Sequence, residues 1–194
     1  MSAPVLGQEF FARPVGDVCV DLLGCMLEVG ELAGTIVEVE RYQQDDPASH
    51  SFRGPTPRGA VMFGPPGRLY VYRSYGVHWC VNVVCEPEGS GAAVLIRALA
   101  PIRGLDLMRA RRGGVGDRLL CSGPGRLCQA LGIDGSMNGT VLGGGPVRIV
   151  AGAPEGPVVR GPRIGISVAT DRPWRFGVAG SPHLSRPFPA PAAA

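Results

Sequence analysis

Lysine is absent from this chain, and all 19 basic residues are arginine. Schiff-base chemistry therefore has only the α-amino group of the N-terminus to draw on. The six cysteines, at 19, 25, 80, 85, 121 and 128, form no C-x-x-C pair, and the three histidines are scattered. That pattern argues against a zinc site, so no metal is expected and the thiols read as reduced and mostly buried. No run approaches the ~18 apolar residues of a membrane-spanning helix. The opening MSAPVLGQEFF lacks the basic start and apolar core of a signal peptide. The expectation is a cytoplasmic protein with no membrane contact. Charge is scarce too: a net +3 permits a nucleic-acid partner without demanding one.

What is present suits one folded unit. The chain has 194 residues, 45% of them hydrophobic, and 30 glycines and 19 prolines cut it into short elements. A helix is expected over 14–23, started by Pro14 and stopped by Gly24. Strands are expected at 25–29 and 35–40, around a loop at 30–34. A hairpin follows, then a strand at 92–99 and a helix at 105–111. Ser122-Gly-Pro-Gly-Arg126 opens a further helix that ends at Gly132. Strands are expected at 147–151, 158–160 and 163–169, with Trp174-Arg-Phe176 closing the sheet. PFPAPAAA at 187–194 is disordered by composition. The domain is set at 1–188, with 189–194 as a Pro/Ala tail. The fold class is α+β: a single compact domain with a mixed, largely antiparallel sheet and helices at its edges.

Several residues invite chemistry. In RLYVYRSYGVHWCVN (68–82) a tyrosine, Tyr75, occupies the tip of a hairpin, where Gly, Asn, Asp or Pro is usual. Tyr70 and Tyr72 share a face, and Asn82 interrupts an apolar run. Such a set suits a flat heteroaromatic ligand, or simply a packed hairpin. Glu38 and Glu40 point the same way on one strand. Together in a cleft they would raise one another's pKa, whereas on a solvated edge, the commoner case, they do nothing. Arg97, inside an apolar strand, needs an anionic partner: that carboxylate pair, or a phosphate. The loop 43–68 holds His50, Arg53 and Arg58, and its length suggests function or disorder. Free N–H groups at Ser122, Gly123 and onward, with Arg126, suit a phosphate.

Taken together, GTIVEVERY (34–42), DPASHS (46–51), TPRGAVMFGPPGRLYVYRSYGVHWCVN (56–82), AVLIRALAP (93–101), GPGRLCQALGI (123–133) and GPRIGIS (161–167) resemble the alkyladenine (3-methyladenine) DNA glycosylases of the mammalian type. The ordered series spans about 6–188. The resemblance implies a compact α+β domain whose Tyr-tipped hairpin enters the DNA minor groove. It implies that Glu40 activates water, with Arg97 and the carbonyl of Ile164 helping to hold it. Tyr42, His50 and Tyr72 would wall the base pocket, Asn82 would screen against guanine, and Tyr75 would fill the gap left by the flipped nucleotide. Arg58, Ser122, Gly123 and Arg126 are candidates for the DNA backbone. Two departures stand out. Arg41 replaces a small residue, and either points away from the pocket or meets DNA. The Tyr42–His50 spacing is one residue shorter than in the animal enzymes.

The implied activity is removal of damaged purines of the 3-methyladenine, 7-methylguanine, hypoxanthine and ethenoadenine class from double-stranded DNA. The enzyme would be a monomer with no cofactor, working on nucleoid DNA in the cytoplasm. Two other readings compete: a non-catalytic damage or RNA binder on the same scaffold, and a small-molecule enzyme unrelated to DNA. Intact Glu40 and Arg97 argue against the first, and the Tyr75 tip against the second.

Overall fold

The computed structural model describes residues 3–189. Two short helices, α1 (Gln8–Phe11) and α2 (Val15–Asp21), precede the sheet. α2 starts directly after Pro14, and the chain leaves it through Gly24 at φ 85°. A Cβ there would fall 2.0 Å from the backbone of Ala153, so no other residue fits. The helix buries Val15, Val18 and Cys19 completely.

The sheet is built around β2 (Leu32–Tyr42), the strand that carries both glutamates. β1 (Met26–Val29) pairs with its first half, Leu32 to Thr35. β8 (Arg175–Val178) takes the same edge further along, at Glu38 to Glu40. β5 (Ala92–Arg103) runs along the other edge. β4 (His78–Cys85) and β3 (Leu69–Ser74) follow beyond β5 as the tyrosine hairpin. β6 (Val147–Val150) closes the β1 side, and β7 (Val158–Gly161) pairs with β8. Every pairing among these strands is antiparallel, so the sheet is less mixed than expected. α3 (Leu105–Arg111) and α4 (Pro124–Leu131) match the expected helices, and α4 buries Leu127, Cys128, Ala130 and Leu131. All six thiols are buried. No helix among the described residues is long and apolar enough to cross a membrane.

The β2–β5 register slips three times, leaving Ile102, Val37 and Arg97 without a cross-strand partner. Such bulges bend a strand and re-aim its side chains. The two that flank Glu38 bring the Arg97 guanidinium onto the face that carries Glu38 and Glu40.

Four expectations need correction. β2 begins at Leu32, because Gly30 at φ 57° lets the chain turn in two residues. β5 continues four residues past Leu99, to Arg103. No strand forms at 163–169: Gly165 (φ 79°) and Ala169 (φ 50°) leave extended geometry, and Arg163 is buried against Asp46 instead of joining a ladder. The tail 187–194 is packed where it begins. The Pro187 carbonyl accepts from Arg175, and the Phe188 ring lies under the same guanidinium at 3.8 Å. Residues 190–194 of that tail lie outside the described residues.

Candidate nucleic-acid interface and catalytic cluster

The β3–β4 hairpin turns through Tyr75 at φ 49° and Gly76 at φ 68°. Left-handed geometry suits glycine but costs another residue about 1–2 kcal/mol. Tyr75 nevertheless adopts it, with its side chain 87% exposed. An exposed aromatic held in a strained conformation makes the tip a candidate contact surface.

Below the tip the aromatic groups converge. Tyr70 and Tyr72, two apart on β3, stack at 5.3 Å between ring centroids. His50 reaches them from the long loop, edge-on to Tyr72 at 4.6 Å, with Nδ1 2.9 Å from the Tyr70 hydroxyl. Partial burial and the nearby Arg58 hold His50 below the usual imidazole value, so it is neutral at pH 7. Burial also pushes the Tyr70 hydroxyl up to about 12. Asn82 sits opposite Tyr70 in the register and donates Nδ2 to its carbonyl at 2.9 Å. Asn82 therefore does tie the two strands together, while also lining the cavity. Tyr42 lines that cavity as well. Tyr42, His50, Tyr72 and Asn82 thus border one space of about 1010 Å³, which also reaches Tyr75. Tyr70, which anchors His50 and Asn82, has a supporting part that the pattern of residues did not assign.

Glu38 and Glu40 are fully buried, not solvated. Glu38 accepts four hydrogen bonds: from Arg97 Nε (3.1 Å), Arg175 Nη1 (3.3 Å), the Ser185 hydroxyl (2.7 Å) and the Ser185 N–H (2.6 Å). Glu40 accepts three: from the Tyr42 hydroxyl (2.9 Å), Arg97 Nη1 (3.2 Å) and the Ile164 N–H (2.7 Å). By atom, Glu38 takes three of its bonds on Oε1 and one on Oε2, while Glu40 takes two on Oε2 and one, from Ile164, on Oε1; with two lone pairs per oxygen, each carboxylate keeps an acceptor site open on its less-bonded oxygen. All three donors to Glu40 line the cavity, which places the carboxylate one layer beneath its floor. Burial raises the Glu40 carboxyl above the ordinary glutamate value; Arg97, the Ile164 N–H and the Tyr42 hydroxyl oppose that shift without cancelling it. Burial pulls the Arg97 pKa down, but Glu40 and Glu38 outweigh it and keep the guanidinium charged. Ile164 meets Glu40 through its N–H; the expected role of its carbonyl is a separate contact.

A second ion pair supports this cluster. Asp46 and Arg163, both without exposed side-chain surface, are bound through two contacts. Arg163 also donates to the Arg41 carbonyl (3.0 Å), and its guanidinium lies 4.7 Å from the Tyr42 ring centroid. It thereby fixes the backbone between Glu40 and Tyr42, and positions Ile164 next to it. Sequence reasoning missed both residues. An aspartate in a polar loop looks solvated, and its partner lies 117 residues away. Arg41 points away from the pocket and stacks on Trp174 at 4.4 Å.

The candidate backbone contacts Arg58, Ser122, Gly123 and Arg126 all border the same space. The Ser122 hydroxyl accepts from Arg126 at 3.1 Å. Arg73, Arg97, Arg112 and Arg186 line it too, and no aspartate or glutamate does. Burial, then repulsion from Arg126, lowers the pKa of Arg112, as expected where guanidinium groups crowd without a counter-ion. A groove whose charged side chains are all arginine attracts a polyanion.

Residues 9–182 match the model of the methylpurine-DNA glycosylase family. The chain belongs to that family. The family's members are DNA glycosylases, hydrolases of N-glycosyl bonds. Three bacterial relatives carry the name "putative 3-methyladenine DNA glycosylase". The protein from Nitrobacter winogradskyi is 58% identical over 95% of this chain and 91% of its own length. That from Rhodopseudomonas palustris CGA009 is 59% identical over 96% and 90%. That from Nitrosospira multiformis is 57% identical over 98% and 97%. This glycosylase therefore matches these relatives over nearly its whole length.

Proposed function

We propose that this glycosylase flips damaged purines of the 3-methyladenine, 7-methylguanine, hypoxanthine and ethenoadenine class out of duplex DNA. It then hydrolyses the N-glycosidic bond with a water activated by Glu40, starting base excision repair. It acts as a monomer, without a cofactor, on nucleoid DNA in the cytoplasm. The observation that carries this reading is the setting of Glu40. All three of its donors line the cavity walled by aromatic rings, whereas Arg175, a donor to Glu38, does not, and burial raises the Glu40 carboxyl.

The steps follow from that arrangement. A base within the stack is out of reach, and extruding it costs a few kcal/mol. Tyr75, already projecting in strained geometry, slides between the neighbours and offsets part of that cost. The base enters between Tyr42 and the His50–Tyr72 wall, each aromatic contact contributing roughly 1–3 kcal/mol. Bond cleavage builds positive charge on the sugar, as in glycoside hydrolysis. Ionised Glu40 stabilises that charge and takes a proton from the attacking water. Arg97 keeps Glu40 ionised, and Asn82 screens the pocket against the 2-amino group of guanine.

The test is incubation with duplexes that each carry one 3-methyladenine, hypoxanthine or ethenoadenine, scored for abasic sites against undamaged duplex. Abasic product at the lesion is expected. Binding of lesion duplex without any product would establish the non-catalytic binder instead.

A further inference from the structure

The family match ends at residue 182, yet the chain returns to the catalytic cluster beyond it. Ser185 donates its N–H and its hydroxyl to the two oxygens of Glu38, at 2.6 and 2.7 Å. Arg175 donates to the carbonyls of Arg186 (3.2 Å) and Pro187 (3.0 Å). Phe188 then packs on Gly177, where a Cβ would come within 2.6 Å of its ring. The backbone is thus pinned on both sides of Arg186. The Arg186 side chain is exposed, lines the groove, and forms no ion pair among the described residues. Its neighbour Ser185 lies 3.5 Å from Arg97 Nη2, so the strap reaches the groove beside the catalytic arginine.

We propose that residues 185–188 form a strap that holds Arg186 in the groove as a contact to a DNA backbone phosphate next to the flipped nucleotide. This rests on the DNA reading above. A guanidinium matches phosphate oxygens through paired N–H groups. Anchoring the backbone on both sides reduces the freedom lost when the contact forms. Buried Glu38 thereby acquires a second task. It neutralises Arg97 and Arg175, and it is the post to which the strap is tied.

The experiment measures affinity for lesion and undamaged duplexes by fluorescence anisotropy across a salt series, for wild type, Arg186→Ala and Arg186→Lys. Each phosphate contact contributes a slope of about 0.9 in log K against log salt. Arg186→Ala should bind both duplexes more weakly by the same factor and show a slope shallower by about 0.9. Its deficit should then shrink about threefold between 50 and 200 mM salt. Arg186→Lys should keep the wild-type slope. A slope for Arg186→Ala parallel to wild type, with wild type itself salt-dependent, overturns the phosphate contact. A wild type whose duplex binding does not respond to salt overturns the DNA reading instead.

Discussion

Glu40→Gln preserves the size of the side chain and removes the charge. Glu40 accepts three hydrogen bonds, but glutamine has only one acceptor oxygen. If that oxygen faces Tyr42 and Arg97, the amide N–H₂ meets the Ile164 N–H, donor against donor. If it faces Ile164, the amide meets Arg97. Either mismatch costs about 1–3 kcal/mol. A second effect opposes this loss. Burial raises the folded-state pKa of Glu40, so its ionisation at neutral pH works against folding, and the variant is spared that penalty. The net loss of stability should fall at the lower end of the range. Glu38→Gln removes the negative charge that faces both Arg97 and Arg175 and sets its amide against the Ser185 N–H; leaving buried charge uncompensated costs about 3–5 kcal/mol. Melting curves should therefore rank Glu38→Gln as the less stable of the two.

Catalysis should rank them the other way. Loss of a positioned base slows the chemical step by roughly 10²–10⁴, while lesion-duplex affinity survives. In wild type the base must be ionised, so the single-turnover rate should fall as pH drops through a pKa above the ordinary 4.5. Glu40→Gln should lose that acid limb. The assay is excision under single-turnover conditions from pH 4.5 to 8, on variants shown by melting to be folded. A folded Glu38→Gln slower than Glu40→Gln, or a persisting limb in Glu40→Gln, would refute the assignment.

Tyr75→Ala should slow excision from a matched duplex most, with the deficit shrinking opposite a mismatch or gap, where flipping is cheaper. An equal loss on every substrate argues against a wedge. Tyr75→Gly should slow excision too, yet stabilise the fold by about 1 kcal/mol by relieving the left-handed strain. With no lysine in the chain, product DNA should carry intact abasic sites; a protein–DNA adduct trapped by borohydride contradicts this. Asn82→Ser should raise excision of guanine relative to hypoxanthine in single-turnover assays. An unchanged ratio with a lowered melting temperature would leave Asn82 only its bond to the Tyr70 carbonyl.

Local signals made much of the fold legible in the sequence. Gly24 and Gly132 mark helix ends because each needs a left-handed φ. The hairpin stands out because its tip carries a tyrosine against the rule for turns. The groove candidates were found because glycine and proline at the start of α4 leave N–H groups free. Signals that depend on distant partners failed. The alternation in 163–169 imitates a strand because Arg163 faces inward toward Asp46, a cause that no local window contains. Phe188 sits in a segment of proline and alanine that reads as disordered, and its packing on Gly161, Gly177 and Arg175 explains why it is ordered.

The two glutamates show the same limit at the centre of the site. They lie two residues apart on one strand and one face, and nothing in the sequence around them separates them. Their difference comes from 124 and 147 residues downstream, where Ile164 and Ser185 return to β2. Ser185 and Arg175 tie Glu38 to the segment after β8 and to β8 itself. Ile164, which lines the cavity, ties Glu40 to its floor instead. Two guanidinium groups and two carboxylates balance in charge, so the cluster can stay buried. Without Arg97 and Arg175, the repulsion of two buried carboxylates would drive one to protonate. Because every donor to Glu40 lines the cavity, Glu40 is the one of the pair placed for the general-base role proposed above.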